Sequence, residues 1–247
     1  MNEINITMSW DDGSPYDMRL AELLLKYNIS STFYIPKNNS EGIPVLKETD
    51  IKLLSTQFEI GGHTIDHLRL NSLSNKDKLF QINESKNWLE DLTGDDIKGF
   101  CFPGGEFDQS ILSIVKDSGY YYSRTTENFR NDITDLYKMP TTLQLFNHDS
   151  YILFFNMLKA KNSIKKIYSY YPILVSNEFF NRFEYILHYA EKMNFQYLHF
   201  WGHSWEINEY NLWSPLEDIF KLINERADSV SSMTNYQCAK FYSEKSK

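Results

Sequence analysis

Two short motifs, each sitting where a strand-like run ends, constrain this chain more than any other feature. Asp11-Asp12-Gly13 follows Asn5-Ile6-Thr7-Met8-Ser9-Trp10, whose polar and apolar residues alternate as in a half-buried strand. Gly13-Ser14-Pro15 then turns the chain. About fifty residues later, His63-Thr64-Ile65-Asp66-His67 follows Phe58-Glu59-Ile60 and Gly61-Gly62. Two imidazoles and one carboxylate form a borderline-hard ligand set suited to Zn²⁺ or a similar divalent ion, with positions left over for water and substrate. Of the two adjacent aspartates, one can bind a metal while the other stays free to accept a proton. Taken singly, Asp-Asp-Gly is more often a plain turn and HxxxH a pair of solvated histidines. Together, each closing a strand that leads into a helix, they make coincidence a poor explanation.

Strand and helix patterns alternate around these motifs. Leu20, Leu23 and Leu24 recur at helical spacing over Asp17–Tyr27, and Ser31–Ile35 is β-rich up to Pro36. Thr49-Asp50 caps a helix reaching Gln57. Ser74-Asn75 opens a long amphipathic helix that offers Leu79, Ile82, Trp88, Leu89 and Leu92 for burial and ends at Gly94. Then come a strand over Ile97–Phe102, a helix over Asp108–Ser118 and a strand over Tyr120–Ser123. From Thr125 to Val175 the pattern is least legible, with a short strand near Tyr137-Lys138-Met139 and a helix from Tyr151 to about Ala160. A helix from Asn177-Glu178 to Met193, a strand over Tyr197–Trp201, a helix over Pro215–Arg226 and a last helix capped by Thr234-Asn235 complete the order. Regular alternation predicts an α/β chain of parallel strands with crossover helices, closed or nearly closed into a barrel. Reactive residues belong at the C-terminal ends of its strands, where Asp11, Asp12, His63 and His67 fall.

The 247 residues suit one such domain, and no linker-like stretch divides them. A net charge of −8 without a basic block argues against nucleic acid and anionic membranes as partners. Cys101 and Cys238 suggest no disulfide framework, and the apolar runs, such as Tyr151–Phe155, are too short to span a bilayer. The start of the sequence lacks a basic segment followed by an apolar one, so the expected location is cytoplasmic. Aromatic residues make up 16% of the chain, compatible with stacking on sugar rings but explained as well by an aromatic core.

Three further constellations bear on chemistry. Phe100-Cys101-Phe102-Pro103-Gly104-Gly105 ends a strand with a turn that can aim a backbone N–H at an oxyanion, or simply terminate the strand. Arg124 follows another strand, where it can pair with an active-site carboxylate or lie on the surface. In Leu198-His199-Phe200-Trp201-Gly202-His203-Ser204-Trp205-Glu206, the residues His199, Trp201 and His203 share one side. His203 at the lip is favoured as the reacting group, His199 as a packed, hydrogen-bonded histidine, and Glu206 as a partner that orients His203. His148 and His188 are read as structural or solvated.

Thr7–Gly13, His63–His67, Phe102–Gly105 and Trp201-Gly202-His203 resemble, in that order, the motifs of the polysaccharide deacetylase family, the metal-dependent N- and O-deacetylases of carbohydrate esterase family four. The resemblance runs from the first strand to about Glu206. It implies a distorted (β/α) barrel of seven strands, one catalytic domain over residues 1–247, and removal of an acetyl group from a sugar, glycan or glycan precursor. By the same resemblance Asp12, His63 and His67 hold one divalent ion, usually zinc, and Asp11 is the base. Gly104 supplies an oxyanion-hole N–H, His203 is the acid, and Trp201 lines the acetyl pocket. Two departures stand out. Cys101 occupies the place of an arginine that contacts the catalytic aspartate, and the late Asp–Trp segment is not recognisable. Arg124 is the candidate to supply the missing positive partner.

Other readings remain at this level. A 2-His-1-carboxylate set also describes non-haem Fe(II) oxygenases, although here the carboxylate precedes both histidines and a second Asp adjoins it. HTIDH lacks the Glu of the HExxH zinc proteases. A same-fold hydrolase of a small non-sugar amide and a catalytically silent glycan-binding protein are the remaining alternatives. Whether the chain acts alone or as an oligomer is open.

Overall fold

β1 (Ile4–Trp10) is buried along its whole length and organises the sheet. One edge pairs with β7 (Tyr197–Gly202) from Asn5 to Trp10. Its other edge is shared: β8 (Val230–Met233) takes Ile4 to Thr7, and β2 (Thr32–Ile35) takes Ser9 and Trp10. β3 (Glu59–Gly62), β4 (Gly99–Cys101) and β5 (Tyr122–Arg124) continue beyond β2, and β6 (Leu143–Gln144) lies outside β7. All pairings are parallel, in the order β5-β4-β3-β2-β1-β7-β6, with β8 beside that path. The result is a curled half-barrel, the α/β architecture the alternation predicts. A segment after β5 spans the open side. Met139 N–H donates to the Ser123 carbonyl at 3.0 Å, and Thr142 N–H to that of His199 at 2.7 Å. The computed structural model describes residues 3–160 and 169–245.

The helices lie outside. They are α1 (Asp17–Lys26), α2 (Glu48–Ser55), α3 (Asn75–Thr93), α4 (Gln109–Asp117), α5 (Ser150–Lys159), α6 (Tyr171–Val175), α7 (Phe179–Met193), α8 (Ser204–Glu209), α9 (Trp213–Glu225) and α10 (Asn235–Lys245). Their ends follow local chemistry. Ser74 Oγ accepts from Asp77 N–H to start α3, and Gly94 at φ 77° ends it; Asp108 caps α4 through Ile111 N–H at 2.9 Å. Ile4, Ile6, Met8, Trp10, Leu20, Leu24, Phe33 and Phe200 are buried in the main apolar cluster. Each fully buried side chain of this kind contributes about 1.5–3 kcal/mol.

The other face of the strands carries Asn5, Thr7, Ser9, Tyr34, Glu59, Tyr122, Arg124 and His199. Tyr122 O–H donates to Glu59 Oε1 at 2.7 Å and Thr32 O–H to Glu59 Oε2 at 2.8 Å. Asn235 Nδ2 donates to Tyr34 Oη at 2.8 Å, which ties the start of α10 to this network. Such bonds return only about 0.5–1.5 kcal/mol each. Stability therefore resides mainly in the outer apolar layer, and the inner face is free to be polar.

Several sequence expectations need correction. Tyr137-Lys138-Met139 is no strand: Leu136–Lys138 form a 3₁₀ turn and Met139 makes a lone parallel bridge to Arg124, while the paired strand is β6. Arg124 is the last residue of β5 instead of following it. Leu79 is 45% exposed, because α3 turns Ile82 and Leu89 inward with the polar Gln81 and Ser85 between them. Glu48 and Trp213, not residues two or so later, begin α2 and α9. β8, α6 and α8 carry too little periodicity to be seen. Of the illegible stretch 125–175, residues 161–168 lie outside the described residues.

Gly61 and Gly62 mark where other side chains come too close for a Cβ. One on Gly61 would sit 2.5 Å from the Tyr34 ring, and one on Gly62 would sit 2.3 Å from Tyr120 Oη and 3.0 Å from Ser85 Oγ. Gly62→Ala is expected to destabilise the fold by about 1–3 kcal/mol, the cost of overpacking. Thermal unfolding checks this; an unchanged midpoint would contradict the packing described.

Candidate active site

The C-terminal ends of β1, β3, β4, β5 and β7 open into one cleft of about 320 Å³. Asp11 and Asp12 enter it together because the strand breaks between them. Asp11 N–H still pairs with the Gly202 carbonyl at 3.0 Å, whereas Asp12 has φ 76°. A positive φ at a non-glycine residue reverses the usual alternation and is sustained only by its surroundings. Thr64 (φ 58°) and His67 (φ 54°) do the same for the second motif. That loop is clamped from α3, where Gln81 accepts from Asp66 N–H at 3.0 Å and donates to Asp66 Oδ2 at 2.7 Å. Asp66 thus holds the loop, and the two histidines on either side of it face the cleft.

Asp12, His63 and His67 are buried, with their donor atoms all within 4.8 Å of one another. Asp12 Oδ1 lies 3.5 Å from His63 Nε2 and 3.1 Å from His67 Nε2. Ligand atoms about 2.0–2.2 Å from one tetrahedral ion lie roughly 3.3–3.5 Å apart, so the spacing fits a divalent cation. The tautomer fits too. His63 Nδ1 donates to the Cys101 carbonyl at 2.8 Å, which leaves the Nε2 lone pair facing a carboxylate oxygen. Only a cation or a shared proton reconciles those two acceptors. Asp12 Oδ2 is fixed by Trp205 Nε1–H at 2.9 Å, a contact the sequence did not reveal. Burial by itself raises the Asp12 carboxyl, but hydrogen bonding to His63 and His67 and the charge of His203 carry it well below the usual range.

Asp11 is held differently. The fully buried Arg124 makes an ion pair with Asp11 Oδ1 through Nη2, and the Cys101 thiol lies 3.7 Å from Oδ2. Cys101 and Arg124 are direct neighbours across β4 and β5, so the guanidinium arrives from one strand over. It packs 5.2 Å from the Tyr34 ring centroid and 5.1 Å from that of Trp201. Burial opposes the charge on Arg124, yet the Asp11 charge outweighs it and pushes its pKa up. Burial keeps Cys101 a neutral thiol. Behind the pair of aspartates, Asp17 is fully buried, and burial pushes its carboxyl well above the usual range, so it adds no third negative charge.

His203 lies across the cleft, with Nε2 3.8 Å from Asp12 Oδ2 and Nδ1 2.6 Å from Glu206 Oε2. Burial alone would lower its pKa; the hydrogen bond to Glu206 and the charges of Asp12 and Asp11 push it up to about 9. Gln144 Nε2 donates to the same Glu206 oxygen at 3.0 Å and Gln144 Oε1 accepts from His148 at 2.8 Å. His148, read as structural or solvated, therefore sits in the cleft wall. His188 is exposed on α7. His199 lies deeper, between Thr7 Oγ1 at 2.6 Å and Ser9 Oγ at 3.0 Å; burial and then the charge of Arg124 hold it well below the usual range and neutral. Gly104, at φ 65° in the turn after β4, and Trp201 both line the cleft. Trp201 Nε1–H donates to Asn128 Oδ1 at 3.1 Å. All eight site residues expected from the sequence thus meet in one place.

Adding Zn²⁺ or Co²⁺ to the metal-free protein is expected to raise its thermal midpoint, because a ligand that binds only the folded state stabilises it. Asp12→Ala, His63→Ala and His67→Ala should each abolish the rise. A midpoint indifferent to these ions would contradict a metal site here.

The polysaccharide deacetylase family model matches residues 1–123, which include both first motifs and stop short of His203. Peptidoglycan-N-acetylglucosamine deacetylase of Bacillus cereus is 27% identical over 121 residues, 48% of this chain and 55% of that protein. Chitin deacetylase 1 of Cryptococcus neoformans is 26% identical over 131 residues, 49% of this chain and 27% of that protein. The chain spans about half the length of the curated relatives it matches, or less. Likeness of fold extends further. A solved chain from Mycobacterium smegmatis superposes with TM-score 0.73 at 12% identity over 99% of this chain and 92% of its own. The chitin deacetylase from Colletotrichum lindemuthianum does so with TM-score 0.62 at 17% identity over 96% and 88%. With its first half matching the family model, its motifs in the family's order and its whole length following the family's fold, the chain belongs to the polysaccharide deacetylase family.

Proposed function

We propose that the protein is a metal-dependent hydrolase that removes an acetyl group, preferentially N-acetyl, from a sugar, glycan or glycan precursor. One observation carries this reading: a carboxylate paired to a buried arginine lies directly beside a carboxylate and two imidazoles with metal-ligand spacing. A base next to a Lewis-acid site is what amide hydrolysis by water requires. Relatives named for deacetylating peptidoglycan and chitin support a sugar as substrate.

Asp12, His63 and His67 would hold the ion, and two imidazoles with one carboxylate favour Zn²⁺. When bound, it would supply Lewis-acid polarisation of the acetyl carbonyl and acidify water. Arg124 pairs with the Asp11 carboxyl and orients it. Asp11 takes a proton from water as the water oxygen bonds to the carbonyl carbon, and the Gly104 N–H donates to the developing oxyanion. His203, steadied by Glu206, gives its proton to the nitrogen as the C–N bond breaks. Acetate and an amino sugar leave, while Trp201 closes the side of the cleft that receives the acetyl methyl.

Acetate release from N- and O-acetylated saccharides, with and without chelator, tests this reading. Release should be chelator-sensitive, and Asp11→Asn should lower it by about 10²–10⁴ with metal still bound. Arg124→Ala should lower kcat more than it raises KM and cost about 3–5 kcal/mol of stability by leaving a buried carboxylate unpaired. Sugar binding without acetate release would favour a silent glycan binder and overturn the enzyme assignment. Normal turnover in Arg124→Ala would remove Arg124 from the account.

A further inference from the structure

Asn128 takes no part in the hydrolytic steps, yet the fold holds its half-buried amide in one orientation in the wall of the cleft. The backbone around it is braced on both sides. Thr141 N–H donates to the Glu127 carbonyl at 3.0 Å, Phe129 N–H to that of Thr142 at 2.9 Å and Arg130 N–H to that of Thr141 at 3.0 Å. The side-chain oxygen is then fully engaged. Asn128 Oδ1 accepts from Trp201 Nε1–H at 3.1 Å and from Thr141 Oγ1–H at 2.7 Å, which uses both lone pairs. An indole N–H can only donate, so the atom facing it is the oxygen and the amide has a single orientation. Nδ2 sits on the other branch of the amide. It meets no acceptor among the described residues, and it is not one of their sealed, unpartnered atoms, so it is open to the cleft.

The place of this donor matters as much as its orientation. Thr126, two residues earlier, also lines the cleft, and its Oγ1 fills the space that a Cβ on Gly105 would need. The segment therefore runs from the Gly104-Gly105 turn to the indole of Trp201, whose ring lies 5.5 Å from that of His203. Two residues span at most about 7 Å, so Asn128 stays close to the reacting groups. Saccharides carry hydroxyl and carbonyl oxygens that accept hydrogen bonds. A fixed donor selects among them, because an analogue without the matching oxygen leaves the donor unpaired. We infer that Asn128 is a substrate-binding residue whose Nδ2 donates to an oxygen of the saccharide beside its acetyl group, and so helps decide which saccharides are accepted. The nature of the ligand rests on the deacetylase reading; the orientation of the donor does not.

Binding and acetate release, measured separately on the whole protein with N,N′-diacetylchitobiose and its monodeoxy analogues, test this. Binding is read in an Asp11→Asn background, which keeps the cleft and removes the base. Asn128→Asp preserves an oxygen for Trp201 and Thr141 but turns an acceptor toward the substrate. It should weaken binding by at least about tenfold and raise KM more than it lowers kcat, with the thermal midpoint unchanged. One analogue, lacking the accepted oxygen, should bind weakly even with Asn128 in place and lose nothing further on Asn128→Asp. Asn128→Ala, which removes donor and brace together, should show the same coupling to that analogue. If Asn128 only braced Trp201 and Thr141, the Asn128→Asp protein would bind every saccharide as well as the unsubstituted one, and that result would overturn the proposal. So would a loss of equal size with every analogue, or failure to bind any saccharide. Binding that depends on Asn128 without acetate release would overturn the enzyme assignment alone, so the two failures are distinguishable.

Discussion

Two carboxylates adjacent in sequence share one buried cleft, and each must be neutralised separately. At a generic separation of about 5 Å and an effective dielectric near 20, two like charges repel by roughly 3 kcal/mol. Burial adds a desolvation penalty to both. The fold meets this with two different partners, a permanent cation from β5 for Asp11 and a set of imidazoles facing Asp12. Arginine does not surrender its proton, so Asp11 keeps a positive partner whatever occupies the other site. The imidazoles can exchange a shared proton for a metal ion. On the proposed reading, this division of labour leaves one carboxylate free for proton transfer and commits the other to holding a ligand.

The same substitution of partners recurs across the cleft. Cys101 stands where the family pattern has an arginine, and the positive charge comes instead from the residue beside it in the sheet. No late Asp–Trp segment is recognisable, yet His203 is gripped by Glu206 from the first turn of α8, and the indole that steadies Asp12 belongs to Trp205 between them. A short helix begun just after β7 thereby supplies two supports from two consecutive positions, Trp205 and Glu206.

Much of this was legible because strands end where turns begin. Asp-Asp-Gly and His63–His67 follow β-rich runs, so their placement at the sheet's C-terminal edge needed only local pattern. Arg124 was marked by the same logic, one position off, since Tyr120-Tyr121-Tyr122-Ser123 reads as a strand and its register does not. Gln144, His148 and Trp205 join the site through contacts that no periodicity encodes. β8 escaped because Val230-Ser231-Ser232-Met233 has no apolar alternation; it is held by the free lower edge of β1 and by Ser232 Oγ accepting from Ser30 N–H. Leu79 misled because polar residues of α3, chiefly Gln81, are drawn inward to clamp the His63–His67 loop.

Anomalous diffraction from crystals grown with Zn²⁺ tests the central division most directly. The account predicts one peak about 2.0–2.2 Å from Asp12, His63 Nε2 and His67 Nε2, with Asp11 outside the coordination shell and still paired to Arg124. A peak that recruits Asp11 as a ligand while Arg124 turns away, or one bound elsewhere, would contradict it.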